Sequence, residues 1–118
     1  MKAITIRQPH VELIMRGIKL YETRSWSTKF RGPLAIHAGV ALDRDAAARF
    51  AGFVPSELPT GCIVGAVELV DCVPADTVND QQFGDFSSGR WAWVLRNPVR
   101  WSHPIAAKGK LGFWSFDG

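Results

Sequence analysis

The sequence predicts an α+β fold, a small mixed β-barrel with two or three short helices. Candidate strands outnumber candidate helices and crowd toward the C-terminus. No strand–helix–strand unit recurs along the chain, which argues against a parallel α/β sheet. The 118 residues, 47% hydrophobic and 21% charged, suit one domain with a single core over residues 1–118.

The first half of the chain predicts short strands and two helices. Apolar runs predict strands at Ala3–Ile6 and Leu34–Ala38. Pro9–Arg16 has its apolar residues at helical spacing and a proline in the first turn, which predicts a two-turn helix. Asp43 is a suitable N-cap for a second, Ala-rich helix over Arg44–Phe50.

The second half is rich in strands. Cys62–Val70 is a long run of β-branched residues and gives the strongest strand prediction in the chain. Residues 74–90 are polar and acidic, with one helical turn predicted around Val78–Phe83. The remaining strands are predicted on either side of a turn at Asn97-Pro98 and near the C-terminus, at Trp91–Leu95, Val99–Trp101 and Leu111–Phe116. Trp93 and Trp114 alternate with other residues in apolar sequence and are predicted to fill the core.

Charge is distributed unevenly. Residues 1–31 hold seven Lys/Arg against two Glu, and residues 90–118 hold five against one Asp. Residues 51–89 hold six Asp/Glu and no Lys or Arg. If the two basic ends fold together, they form a basic face that favours an anionic partner such as nucleic acid or a nucleotide phosphate. The alternative is that these charges only solvate the surface.

Several classes of protein are disfavoured by the sequence. The first apolar run is too short for a signal peptide, and no stretch approaches the ~20 apolar residues of a membrane helix. We therefore expect a cytoplasmic protein with no membrane partner. Cys62 and Cys72 lie in apolar sequence without a histidine at ligand spacing, which predicts reduced thiols and no metal site. No glycine-rich nucleotide-binding motif is present, so no cofactor is predicted.

The stretch GIKLYETRSW, residues 17–26, combines many functional groups in ten positions. It has no helical period, so we expect extended chain along the mouth of a cleft between the first helix and the barrel. On extended chain Glu22 and Arg24 share a face, whereas Thr23 points the other way. Glu22 is expected to keep Lys19 in its charged form. Whether Glu22 pairs with Lys19 or with Arg24 is left open.

The segment ITIRQPHVELIMRGIKLYETRSWSTKFRGPLAIHAG resembles the start of the ASCH superfamily, whose members are PUA-like β-barrels. The family pattern Gly-x-Lys-x-x-Glu-x-Arg is present as Gly17, Lys19, Glu22 and Arg24, and AKGKLGFWSF near the C-terminus also matches. The resemblance, closest to small stand-alone bacterial or phage-type members, implies a barrel whose cleft binds RNA or modified nucleosides.

Some members of this superfamily are enzymes. In one branch that this chain resembles, the enzyme hydrolyses N4-acylated cytidines, and its proposed nucleophile is a threonine three residues after the motif lysine. Ribonuclease activity is reported for another branch. Here Glu22 occupies the place of that threonine, which disfavours the same amidohydrolase mechanism. The resemblance therefore implies an ASCH domain without specifying its ligand or reaction.

The candidate ligand-binding residues are Gln8, Lys19, Glu22, Arg24, Ser25, Trp26, His37 and Lys108. Lys19 and Arg24 suit phosphate or carbonyl oxygen, Glu22 suits a base amino group, and Trp26 suits base stacking. Lys19 and Glu22 are also the catalytic candidates. Each has a structural alternative: a salt bridge for the charged residues, a helix cap for Gln8, a cover over the barrel end for Trp26, a core position for His37. Lys108 either solvates its loop or joins a basic rim of Arg7, Lys29, Arg31 and Lys110.

The leading functional prediction is binding of RNA, a nucleotide or a modified nucleoside in a cleft lined by the motif. The first alternative is a small hydrolase acting on N4-acylated cytidine or on RNA. The second is a protein-interaction module that uses exposed tryptophans. The sequence leaves the oligomeric state at monomer or weak dimer.

Overall fold

The computed structural model describes residues 1–49, 52 and 54–117. This part of the chain forms six strands, two α-helices and two short 3-10 turns at Pro55–Glu57 and Ala75–Thr77. In chain order the helices and strands are β1 (Lys2–Gln8), α1 (His10–Met15), β2 (Tyr21–Arg24), β3 (Gly32–Leu42), α2 (Arg44–Arg49), β4 (Cys62–Pro74), β5 (Trp91–Ala106) and β6 (Trp114–Ser115). None of the helices described is long and apolar enough to cross a membrane.

The strands form one mixed sheet in the order β2-β5-β4-β3-β1-β6. β1 and β3 are parallel, and the other pairs are antiparallel. The two ends of the sheet meet through side chains: Trp93 stacks on Phe113 at 5.1 Å, and Arg24 Nη2 donates to the backbone oxygen of Thr5 at 3.1 Å. The predicted α+β barrel is therefore confirmed, with its closure made by aromatic and guanidinium contacts.

The barrel interior is filled by strand residues, with α1 packed over one end. Trp93 is fully buried, as predicted, among Ile4, Ile36 and Leu69. Burying each of these side chains contributes about 1.5–3 kcal/mol. Trp114 is only half-buried and packs in a smaller cluster on the other side of the sheet.

The two basic ends of the chain fold together, which is the condition that the predicted basic face depended on. β1 pairs with β6, and the amino group of Met1 donates to the backbone oxygen of Phe116 at 3.0 Å. Arg7 from the N-terminal end and Lys110 from the C-terminal end consequently line one cavity. The basic face is thus assembled from both termini.

The strand β5 corrects the sequence prediction of two strands with a turn between them. Asn97 adopts a positive φ of 54°, a region that asparagine tolerates, and the chain continues in the same direction. The register against β4 shifts at this point, which is typical of a bulge. Pro98 is tolerated because β2 pairs with β5 only as far as Val94. Gly65 on β4 faces this region, where an added Cβ would lie 2.2 Å from the backbone oxygen of Val99.

Other boundaries also differ from prediction. The helical turn predicted at Val78–Phe83 is wrong: residues 78–83 are irregular, and the turn lies at Ala75–Thr77. The last strand contracts from Leu111–Phe116 to Trp114–Ser115, because only Lys2 and Ala3 pair with it. The second helix is observed over Arg44–Arg49, and the predicted terminal Phe50 lies outside the described residues.

Candidate functional site

The motif residues line a cavity of about 480 Å³ between β1, β2 and the loop that precedes β5. Lys19, Glu22 and Arg24 lie in its wall together with His10 and Asp43, and Arg7 and Arg90 add further positive charge. The volume falls in the range of small-molecule binding sites, about 300–1,000 Å³. The cleft predicted from the sequence is therefore present as a charged cavity.

Local backbone structure explains why the motif converges here. Gly17 takes a φ of 74° after α1, and the backbone N–H groups of Ile18 and Lys19 then both donate to the Leu13 oxygen. This reversal returns Lys19 beneath the helix, where it is only 5% exposed. β2 then pairs with β5, and alternation along the strand places Glu22 and Arg24 on a common face.

The polar side chains form a continuous chain of five groups. Asp43 Oδ2 lies 2.7 Å from His10 Nε2, and His10 Nδ1 lies 2.9 Å from Lys19 Nζ. Lys19 Nζ lies 3.4 Å from Glu22 Oε1, and Glu22 Oε2 accepts from Arg24 Nε at 3.0 Å. Because a carboxylate only accepts, His10 donates through Nε2 to Asp43, and its Nδ1 accepts from Lys19. Glu22 therefore pairs with both Lys19 and Arg24, one through each oxygen.

Burial and these charges shift the pKa values of the chain. Burial lowers the pKa of Lys19, and this outweighs the opposing effect of Glu22, contrary to the expectation from sequence that Glu22 would dominate. Burial and the charge of Lys19 also lower the pKa of His10, which favours the neutral ring. For Glu22, burial raises the pKa, but Lys19 and Arg24 outweigh it and the net pKa is lowered. The carboxylate stays ionised between two cationic partners.

The chain leaves hydrogen-bonding capacity facing a ligand. Glu22 Oε2 accepts from Nε of Arg24 at 3.0 Å and lies 2.9 Å from its Nη2, whereas Oε1 has the longer contact to Lys19. An ammonium has three N–H groups, and Lys19 directs two of them to His10 and Glu22. An acceptor and a donor therefore lie 3.4 Å apart in the cavity wall.

Trp26 and Ser25 lie beside the cavity and do not line it. Trp26 is 41% exposed and packs edge-to-face on Trp93, with ring centroids 5.7 Å apart. The guanidinium of Arg24 lies 5.6 Å from the centre of the Trp26 ring. Trp26 thus covers the end of the barrel behind Arg24, and Ser25 is exposed next to it.

The other three predicted site residues lie elsewhere. Gln8 is 1% exposed and uses both ends of its amide: Oε1 accepts from the backbone N–H of Glu12, and Nε2 donates to the oxygen of Pro59. It therefore holds the start of α1, outside the charged cavity. His37 and Lys108 line a second cavity, described below. Of the proposed rim, Arg31 pairs with Asp71 at 3.6 Å, and Lys29 lines neither cavity.

His10 was not among the residues predicted for the site, and Asp43 was predicted only as a helix cap. Asp43 does cap α2, since its Oδ1 accepts from the N–H of Ala46, but its other oxygen binds His10. These partners are separated by 33 residues, so no local pattern links them. Thr23 was expected to face away; its Oγ1 accepts from the N–H of Asp85, and both residues line the cavity. The loop before β5 thus brings the opposite face of β2 into the site.

The next feature is the placement of side chains that can bind a metal ion. Within the described ranges, no group of three His, Cys, Asp or Glu residues lies close enough to hold a metal ion. Cys62 and Cys72 are both on β4 as free thiols, away from the charged cavity.

Comparison with known proteins places this geometry in a family. Residues 4–100 match the family described as the ASCH domain. The chain is 30% identical over 129 residues to activating signal cointegrator 1 of Homo sapiens, and 30% over 132 residues to the Mus musculus protein. Each match covers 97% of this chain and 22% of the relative, so the chain spans about a fifth of the length of these curated proteins.

Solved structures show the same fold. The crystal structure of ASCH from Zymomonas mobilis matches with a TM-score of 0.65 and 14% identity, over 98% of this chain and 87% of that one. A mutant form of the same protein matches with a TM-score of 0.61 and 16% identity, over 98% and 88%. With the barrel, the motif and the sequence match in agreement, this chain belongs to the ASCH domain family.

Proposed function

We propose that this domain binds single-stranded RNA or a nucleotide-like ligand in the charged cavity. The ASCH family is associated with RNA binding. The observation that supports the proposal most strongly is the cavity of about 480 Å³ that combines a buried Lys19–Glu22 pair with the guanidinium of Arg7. Among the described residues Arg7 has no hydrogen bond or ion pair, so its charge is available to a phosphate.

The Lys19–Glu22 pair matches the edge of a nucleobase. Glu22 Oε1 can accept from an amino N–H, as carboxylates do from cytosine N4, while Lys19 Nζ donates to the neighbouring ring nitrogen or carbonyl oxygen. Both groups are held in place before binding, Lys19 by His10 and Glu22 by Arg24. A base that offers a donor next to an acceptor is therefore recognised by a preorganised pair.

The proposal is tested by titrating short single-stranded RNAs and nucleotides into the wild type, Lys19→Met and Glu22→Gln, with circular dichroism to verify folding. We expect binding that weakens with salt in the wild type and falls at least about tenfold in both variants, since each leaves a buried charge and a base edge unpaired. Arg7→Ser should lower the slope of log affinity against log salt by about 1. Lys29→Ser removes an equivalent exposed charge outside the cavity and serves as the control. Wild-type affinity in folded Lys19→Met and Glu22→Gln would refute the proposal.

A second function, cleavage of RNA by its own 2′-hydroxyl, is favoured by one observation. Burial lowers the pKa of Lys19, which is tied through His10 to Asp43. A lysine with a lowered pKa can serve as general base, and the guanidinium groups can stabilise the charge that develops on the phosphate. Ser25 lies outside the cavity and Thr23 already accepts from Asp85, so the substrate hydroxyl is the better nucleophile.

Cleavage is tested with a labelled RNA and the same oligonucleotide bearing a 2′-deoxy substitution at each position in turn. We expect a product ending in a 2′,3′-cyclic phosphate, loss of cutting at the substituted position, and no cutting by Lys19→Met. Binding without any cleavage would support a domain that binds RNA and does not cut it. N4-acetylcytidine belongs in the same panel, because its turnover would instead support the amidohydrolase alternative.

A further inference from the structure

A second cavity of about 510 Å³ lies on the other side of Thr5 from the charged site. The loop before β6 forms one wall, where Gly109 packs so closely that an added Cβ would lie 2.8 Å from Thr5 Oγ1 and 3.0 Å from His37 Cε1. Val40 and Leu111 stand at its opening and are 84% and 98% exposed. The cavity therefore has an apolar surface of a kind that a flat aromatic group can cover.

His37 is a buried part of the wall of this apolar cavity. The side chain is 2% exposed, and its Nε2 lies 2.6 Å from the backbone oxygen of Ala107. Because a carbonyl only accepts, Nε2 carries the proton and Nδ1 is an acceptor. In the described part of the chain, Nδ1 has no hydrogen-bond partner. It is a buried polar atom whose hydrogen-bonding capacity is unsatisfied. Nδ1 is shielded from the cavity, so the His37 ring contributes to the cavity wall by packing and not by a hydrogen bond to a ligand.

The two cavities are connected. A third cavity of about 380 Å³ shares Thr5, Arg7 and Arg24 with the charged site and shares Lys110 and Leu111 with the apolar one. No acidic residue lines either the apolar cavity or this connection. Lys110, like Arg7, has no hydrogen bond or ion pair to the residues described. The connection thus presents two available cations between two base-sized spaces.

We propose that the ligand is a single-stranded oligonucleotide of at least two nucleotides, with one base in each cavity and the intervening phosphate between Arg7 and Lys110. The base in the second cavity covers Val40 and Leu111. This inference rests on the proposed nucleotide-binding function. It follows that the length of the ligand, and not only its base, determines affinity.

The test compares a mononucleotide, a dinucleotide and a trinucleotide of the same base by calorimetric titration. A second base stacked in a cavity and one more phosphate contact should tighten binding of the dinucleotide by at least about tenfold over the mononucleotide. Lys110→Ser/Leu111→Ser should lose this gain, so that the variant binds the mononucleotide and the dinucleotide with equal affinity. The matched control Lys29→Ser/Val99→Ser removes one exposed lysine and one exposed apolar side chain outside both cavities and should keep the gain.

The outcomes separate this inference from the proposed function. If the wild type binds mononucleotide and dinucleotide equally, or if Lys110→Ser/Leu111→Ser keeps the gain, the second cavity is not a base site although the first still is. If no nucleotide of any length binds, both proposals fail.

Discussion

Replacing Glu22 by glutamine tests the electrostatics of the site most directly. The substitution keeps the size of a side chain that is 8% exposed and removes the charge that Lys19 and Arg24 share at 3.4 and 2.9 Å. Removing one partner of a buried ion pair typically costs about 3–5 kcal/mol, because the other charge stays buried without compensation. Arg24 cannot lose its proton, so its charge remains whatever the pH. We therefore expect a loss of about 3–5 kcal/mol in the free energy of unfolding.

Urea denaturation followed by tryptophan fluorescence measures this loss, since Trp93 is fully buried in the fold. With a slope of about 1–3 kcal/mol per molar urea, the midpoint should fall by about 2 M. Glu68→Gln removes an exposed carboxylate on β4 and should change stability by less than about 0.5 kcal/mol. If the free energy of unfolding of Glu22→Gln lies within about 1 kcal/mol of the wild-type value, the buried charges around Glu22 do not stabilise the fold.

A double-mutant cycle separates the Lys19–Glu22 contact from the rest of the chain. Because the two groups are 3.4 Å apart, Lys19→Met and Glu22→Gln together should cost less than the sum of their separate effects, by about 0.5–3 kcal/mol. Raising the pH should also reduce the loss in Glu22→Gln. Burial already lowers the pKa of Lys19, and without Glu22 the lysine can release its proton more readily. Strict additivity would contradict direct pairing.

Three further predictions concern pH, backbone packing and Trp26. Burial and the charge of Lys19 lower the pKa of His10, so below about pH 6.5 the unfolded chain binds more protons and stability falls. Urea melts at several pH values should show this slope in the wild type and its absence in His10→Gln. Gly65→Ala should lower the thermal midpoint through a loss of about 1–3 kcal/mol, since its Cβ would meet a backbone oxygen at 2.2 Å; an unchanged midpoint would show that β4 and β5 separate there without penalty. Trp26→Leu should cost about 1 kcal/mol of stability and change nucleotide affinity less than about threefold, whereas a larger affinity loss would make Trp26 a stacking platform.

Local pattern was enough for most of the secondary structure. Period-two and β-branched runs predicted the cores of β1, β3 and β4, because side chains alternate between faces on extended chain. The sequence pattern gave a wrong prediction where a proline was interpreted only as a turn signal. Asn97-Pro98 predicted a turn, but at an unpaired edge the missing proline N–H has no consequence and β5 continues.

The candidate site also contains some residues that the sequence predicts and others that only tertiary contacts bring together. Lys19, Glu22 and Arg24 belong to one short segment, so spacing and family resemblance were sufficient to predict that they lie together. His10 and Asp43 are 33 residues apart, and the orphan acceptor on His37 depends on a contact with Ala107, 70 residues away. Such pairs are formed by the packing of strands and loops, and no local spacing encodes them.

The cores of β1, β3 and β4, the motif and the two basic ends of the chain were properties of the sequence by itself, because they depend on side-chain type and on spacing along a few residues. The tertiary structure decided how deeply the lysine is buried, which lowers its pKa despite the neighbouring carboxylate. It also brought the two ends of the chain together, so that Arg7 and Lys110 line the same cavity. Desolvation and long-range contact arise only when distant segments exclude water together, and the chemistry of this site depends on both.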